Sequence, residues 1–340
     1  MKIFKKLGLL SLAILAMISC TCFVGCKKKD YNTIELNEVT HSIFYAPLYV
    51  AINNNYFKDE GLTVNLTNGG GSDASMSALL TGSADMILAG PETVVYTQKE
   101  GIADKPVVFG QLTTCDGSFI LSKEQKTNWT LADLVGETII GGRQGGMPAM
   151  TLQYILETNG YKIGTKADEI NLRTDVAFNL TASVWNGDDS INYCTLFEPT
   201  ASNVATEKNA QIVASLGKLS GRIPYTCFSA KQSYLKDHKD VAKKFLKAVL
   251  KGYEYINTQT TDKVAQALLP SFEGNTAAEL EIAVKQYKKI GAWSSDMILA
   301  ENSFTNLMNV MIHAKVITAP SQWADVVDNS IALELKSLRV

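Results

Sequence analysis

Between residues 33 and 112 the chain alternates two hydrophobic periods, and this alternation restricts the fold more than any other feature. Residues 33–36 read as a short strand. Over 47–55, Leu48, Ala51 and Ile52 fall at helical spacing. Residues 63–66 alternate as a strand, and 72–80 place Met76, Leu79 and Leu80 on one helical face. A buried strand over 85–89 follows, Pro91 opens a further helix, and 106–112 is again a strand. Strand–helix–strand at this spacing predicts a parallel sheet with helices on both faces. The pattern then restarts. Residues 131–135 form one helical turn, 137–140 a strand, and 147–159 a helix that stops at Gly160. A strand is read over 189–193, a helix over 199–207, and strands over 211–214 and 224–230. In the tail, Val241, Phe245, Ala248, Val249, Tyr253 and Ile256 share one stripe, and helices follow near 262–269, 276–290 and 303–314. The two rounds echo one another. Leu80-Thr81-Gly82 precedes the strand at Asp85, as Trp185-Asn186-Gly187 precedes that at Asp189, and each strand leads to a proline-opened helix. The expected class is α/β, in two lobes of similar topology.

The N-terminus is set apart from this pattern. Lys2, Lys5 and Lys6 lead an apolar run over 7–18 that is too short for a permanent span. Phe23-Val24-Gly25-Cys26 follows, then Lys27-Lys28-Lys29. A small residue before this cysteine resembles a bacterial lipobox, which implies cleavage after residue 25 and a lipid on the sulfur of Cys26. Cys20 and Cys22 compete for that role, and a plain signal peptide is the other reading. Both readings place the body outside the cytoplasm; the first also anchors it to the membrane, since two or more acyl chains hold a protein there. The formal net charge is −2. Removing the leader lysines makes the remainder more acidic, with no basic stripe beyond residues 27–29, which excludes nucleic acid as a partner. Cys115, Cys194 and Cys227 are too scattered for a disulfide framework or a zinc site. They are either three buried thiols or hold at most one bridge. No metal or cofactor is expected, and no Walker, HExxH or nucleophile-elbow pattern occurs.

In open parallel sheets, ligands sit beyond the carboxyl ends of the strands. His41, Phe44 and Tyr45 follow the first strand and could stack on a flat ligand or belong to the core. Gly69-Gly70-Gly71-Ser72 allows close backbone approach, or is a turn with Ser72 as a helix cap. Glu92, after Gly90-Pro91, faces a ligand or complements its helix dipole. Gly141 to Pro148 is a glycine-rich helix start holding Arg143, Gly145, Gly146 and Met147, and is not a phosphate loop. Phe197-Glu198-Pro199 opens the opposing helix. Trp185 is read as core.

The blocks 41–51, 56–62, 69–72, 80–85, 131–137 and 197–199 resemble, in order, those of ABC-importer solute-binding proteins for nitrate, sulfonates, taurine and thiamine pyrimidine precursors. The likeness covers about 33–230; the tail resembles the family only in kind. It implies a two-lobed periplasmic-binding-protein fold of type II, with crossing strands near 113–119 and 223–229. After the leader (1–25) and a lipid-anchored linker (26–32), lobe one is expected over 33–114 plus 228–340, and lobe two over 115–227. Cys115 and Cys227 would then lie close together on the crossings. The implied function is binding without chemistry: a monomer that closes on a small molecule and delivers it to an ABC permease. Asp73, Glu92 and Glu198 at the cleft, against Arg143, favour an amine-bearing aromatic heterocycle such as a thiamine pyrimidine precursor. Glu198 stands where aminopyrimidine-binding relatives carry a glutamate. The alternatives are a nitrate or organosulfonate binder, a sensor, or an enzyme resembling the eukaryotic thiamine-pyrimidine synthase. The synthase has a Cys-Cys-Cys-Phe-Cys motif, whereas Cys20-Thr21-Cys22-Phe23 lies in the leader.

Overall fold

The computed structural model describes residues 31–338, so the expected leader, the expected lipid site at Cys26 and the lysines at 27–29 lie outside the described residues. In chain order the strands are β1 (Thr33–Glu38), β2 (Thr63–Asn68), β3 (Met86–Ala89), β4 (Pro106–Thr113), β5 (Ser118–Ser122), β6 (Thr138–Ile140), β7 (Asn171–Arg173), β8 (Tyr193–Phe197), β9 (Gln211–Ser215) and β10 (Thr226–Lys231). They form two sheets of five strands, ordered β2-β1-β3-β10-β4 and β7-β6-β8-β5-β9. β3, β4, β5 and β8 are buried along their whole length. Their near-continuous apolar runs are what a strand covered on both faces requires. β2, at an edge, is largely exposed and alternates.

Both sheets are mixed, which corrects the expectation of purely parallel ones. β1 runs parallel to β2 and β3, and β6 parallel to β7 and β8. β10 is antiparallel to β3 and β4, and β5 is antiparallel to β8 and β9. The parallel pairs are joined by helical crossovers, whereas β5 and β10 enter directly from the other sheet and escape that constraint.

The chain therefore passes between the sheets twice, over 114–117 and again after the helix Leu216–Ser220. The two passages are bonded side by side. The Ile223 amide donates to the Thr114 carbonyl at 3.1 Å, and that of Tyr225 to the Thr113 carbonyl at 3.3 Å. The Thr226 amide donates to the Thr113 hydroxyl at 2.9 Å. Cys115 lies in the first passage, and Cys227 lies in β10 opposite Ala89 and Gln111. Cys115, Cys194 and Cys227 are all buried free thiols, which removes the bridged alternative.

The strand expected over 189–193 begins instead at Tyr193. The Asp188 carboxylate accepts from the Ser190 amide at 3.0 Å and its hydroxyl at 2.6 Å, and this local turn outcompetes extended structure. The tail packs on the first sheet. Helix Lys239–Thr258 buries Phe245, Ala248, Val249 and Ile256, while Val241 and Tyr253 sit half-buried at its margins. Later backbone covers the free edge of β4, with Gln111 donating to Met297, Ser294 to Leu112 and Asp328 to Val108, each at 2.8 Å. From Asn32 onward the chain is one compact unit. Among the described residues no helix is long and apolar enough to cross a membrane.

Helix Lys239–Thr258 approaches helix Ala46–Asn53 so closely that a Cβ on Gly252 would lie 2.0 Å from the Pro47 carbonyl oxygen. Alanine gains about 1 kcal/mol of helix propensity over glycine. Backbone overpacking costs more, about 1–3 kcal/mol. Gly252→Ala is expected to lower stability by about 1–2 kcal/mol in urea unfolding; unchanged or raised stability would contradict this packing.

Candidate functional site

A hollow of about 300 Å³ lies where the carboxyl ends of the parallel strands of both sheets meet. After β1 come Val39, Thr40 and Tyr45, and after β2 Gly70, Gly71 and Ser72, with Asn68 at its end. Gly90 and Glu92 follow β3. From the second sheet, Arg143, Gly146, Met147 and Pro148 follow β6, Ala177 and Asn179 follow β7, and Phe197 ends β8. Tyr225 and Thr226, where the chain returns, complete the wall. Tyr45, Phe197 and Tyr225 supply aromatic surface, with the Phe197 and Tyr225 ring centroids 6.0 Å apart.

Of the residues singled out from sequence, Tyr45, Gly70, Gly71, Ser72, Glu92, Arg143, Gly146, Met147 and Phe197 are thus gathered on one wall. The others are placed elsewhere. Phe44 is fully buried behind that wall, packed against Tyr45, Phe197, Tyr225 and Tyr287. Pro91 caps helix Glu92–Thr97 and does not face the hollow. The carbonyl of Gly145 accepts from the Tyr96 hydroxyl at 3.1 Å. His41 and Glu198 line a smaller adjoining hollow of about 240 Å³, which shares Thr40, Asn179 and Phe197 with the first. The His41 ring bonds the Glu38 carboxylate at 2.9 Å and the Ser271 carbonyl at 2.6 Å, and the first of these acceptors is the main reason its pKa is raised. The buried Glu198 carboxylate is occupied by its own helix, accepting from the Ser202 amide at 3.0 Å and hydroxyl at 2.7 Å. Both bonds come from the first turn of the following helix Thr200–Glu207, and each carboxylate oxygen keeps a further acceptor site.

Tyr225, Thr40 and Asn179 are wall residues that sequence reasoning missed. The signal for Thr40 was its place after β1. Asn179 was hidden because β7 spans three partly buried residues, too few to show a period.

Charge at the hollow is nearly self-cancelling. The Arg143 guanidinium donates to Asp73 at 2.5 Å, and each holds the other ionised: Asp73 is lowered and Arg143 raised. Both are partly exposed, so the pair contributes at most about 1 kcal/mol. Its consequence is geometric: it joins the loop after β6 to helix Ser72–Thr81 of the first sheet, and it takes up the cation. Glu92 is 2% exposed. Burial without a counter-ion pushes its carboxyl up to about 8. A Cβ on Gly90 would fall 1.9 Å from the Glu92 Oε2, so only glycine lets the carboxyl lie there. On the first passage between sheets, burial likewise pushes Asp116 up to about 7, although the Ser118 amide at 2.7 Å and hydroxyl at 2.5 Å oppose the shift. Among the described residues no cluster of His, Cys, Asp or Glu could hold a metal ion.

Comparison with solved structures agrees with this architecture. The periplasmic nitrate-binding protein NrtA of Synechocystis superposes with a TM-score of 0.69 at 14% identity, over 90% of this chain and 89% of that one. The fold is of the periplasmic-binding-protein type. By sequence, the chain belongs to the NMT1/THI5-like family, which it matches over residues 43–261. It is 36% identical over 314 residues to a Bacillus subtilis protein named "Putative binding protein YtlA", covering 92% of this chain and 93% of that one. It is 25% identical over 275 residues to the formylaminopyrimidine-binding protein of Halalkalibacterium halodurans, covering 79% of each.

A carboxyl whose folded pKa lies above its unfolded value withdraws stability as pH rises from the second to the first. For Glu92 that window runs from about pH 4.5 to about 8. Glu92→Gln is expected to raise the melting temperature above wild type at pH 9, by the equivalent of a few kcal/mol, and to leave it little changed at about pH 4. Parallel melting curves for the two proteins across this range would show that Glu92 is not buried as described.

Proposed function

We propose that this chain is an extracytoplasmic solute-binding protein that captures an uncharged or amine-bearing aromatic heterocycle, of the thiamine-pyrimidine-precursor class, and delivers it to an ABC importer. The reading keeps the lipid anchor at Cys26 and a monomeric working form. The two sheets serve as lobes that close about the paired passages at 114–117 and 221–225. Closure of the lobes shields the ligand and offers the permease one distinct shape. The chemistry is binding alone, with no bond made or broken.

One observation carries the choice of ligand: in a hollow walled by Tyr45, Phe197 and Tyr225, the Arg143 cation is paired with Asp73 while the wall includes the buried acid Glu92. An anion would meet no free positive charge there and one desolvated acid. A flat heterocycle gains ring stacking and a polar partner. The hollow is at the small end of the range for ligand sites, which suits a single substituted ring. The formylaminopyrimidine-binding relative supports the same class.

A thermal-shift screen of the lipid-free mature protein tests this, using aminopyrimidines, nitrate, methanesulfonate and amino acids. An aminopyrimidine at a hundredfold excess over its Kd is expected to stabilise the protein by about 2.7 kcal/mol, a shift of several degrees. Stabilisation by nitrate or methanesulfonate alone would overturn the reading.

A further inference from the structure

Two polar atoms of wall residues, the Glu92 Oε2 and the Tyr225 hydroxyl, are buried without a hydrogen-bond partner among the described residues, and of the two only the Glu92 carboxyl is an acid. Among the described residues Oε2 of Glu92 has no hydrogen-bond partner, although the residue is almost wholly buried and is part of the wall. The carboxyl lies against Gly90, in space that a Cβ there would occupy. The titratable groups around it leave it no counter-ion. Asp73 and Arg143 neutralise one another. Tyr45, Tyr96, Tyr225 and Cys227 are all held in their neutral forms, chiefly by burial. The nearby Glu92 backbone and Ser72 hydroxyl favour the ionised form, and burial outweighs both. An ionised carboxylate in this place would be desolvated and unpaired, whereas a carboxylic acid offers one donor and one acceptor side by side.

We propose that Glu92 is the residue that reads the ligand's edge, giving one hydrogen bond and accepting another, so that the ligand presents a neutral acceptor beside an N–H donor. The ring nitrogen and amino group of a 4-aminopyrimidine are such an edge, and so is the edge of a lactam or primary amide. The pairing is a closed two-bond ring with no net charge, so it needs no compensating cation. It selects against a permanently cationic amidinium, which would call for the ionised acid, and against a ring lacking the amino group, which would leave the donor–acceptor pair half satisfied. This inference rests on the reading of the hollow as a ligand site and deepens it.

The test is isothermal titration of the mature protein and of its Glu92→Gln and Glu92→Ala variants. The probes are 4-amino-2-methylpyrimidine, 2-methylpyrimidine and benzamidinium. Glutamine keeps a donor and an acceptor at the same place, so Glu92→Gln should hold the aminopyrimidine within about fivefold of wild type, while Glu92→Ala loses roughly thirtyfold. Wild-type affinity should fall by up to about tenfold per pH unit above about pH 8, and the Glu92→Gln protein should show no such fall. 2-Methylpyrimidine should bind wild type and Glu92→Ala alike, and weakly. If benzamidinium binds wild type better than the aminopyrimidine, affinity rises with pH, and glutamine loses as much as alanine, the acid acts ionised. The proposal then falls while the binding reading stands. If no heterocycle binds the wild-type protein, both fall together. Difference infrared spectra of ligand-free wild type against Glu92→Gln add an independent readout. A protonated-carboxyl carbonyl band at neutral pH that vanishes on alkalinisation is expected; its absence overturns the proposal whatever binds.

Discussion

At Thr113 and Tyr225 the two stretches of chain that join the sheets run side by side, held by a backbone hydrogen bond of 3.3 Å. Thr113 also receives the Thr226 amide on its hydroxyl, so the outgoing and returning passages are fastened at the point where both leave the first sheet. Two bonded passages resist separation of the sheets. They also fix which loops face one another. β1, β2 and β3 on one side and β6, β7 and β8 on the other direct their carboxyl ends into the same gap, and every wall residue of the hollow comes from those ends or from the returning passage. Without that fastening, the glycine-rich turns after β2 and β6 would be ordinary surface loops.

The same arrangement decides the electrostatics. Arg143 and Asp73 belong to different sheets and meet across the gap, as do Tyr96 and Gly145. These contacts are weak singly, and they spend the positive charge that an anionic ligand would need. What remains is polar but nearly uncharged: a buried carboxyl, tyrosine hydroxyls and aromatic faces. Asp116, on the first passage, is a second buried acid, which burial pushes up to about 7. A protein tuned in this way should be firmest on the acidic side of neutrality and loosen as its buried acids ionise.

Much of this was legible in the sequence because it rests on local chemistry. Alternating periods located β1 to β4 with their helices, and glycine before a polar helix start located the loops after β2, β3 and β6. The blocks that resemble solute-binding proteins pointed to the periplasmic-binding-protein fold, which the two mixed sheets share. What could not be read was non-local. β10 and β5 become antiparallel partners only because they cross between sheets, and no period in residues 118–122 announces that. Phe44 and Tyr45 are neighbours of the same kind, yet one fills the core and the other lines the hollow; the choice depends on Tyr287 and Phe197, which are far away in the chain. Glu198 reads in the sequence as an acid of the same cleft as Glu92, whereas it lines the adjoining hollow and accepts from Ser202, one helical turn on. Glu92 carries the same local signature, but no serine in its helix takes its free oxygen.

The most direct test is a crystal structure of the mature protein grown with an aminopyrimidine. Ring density is expected between Tyr45 and Phe197, with a ligand nitrogen within about 3.2 Å of the Glu92 Oε2. A ligand seated instead in the distant groove lined by Val107, Lys236 and Trp323, with the gap between the sheets unfilled, would contradict the account.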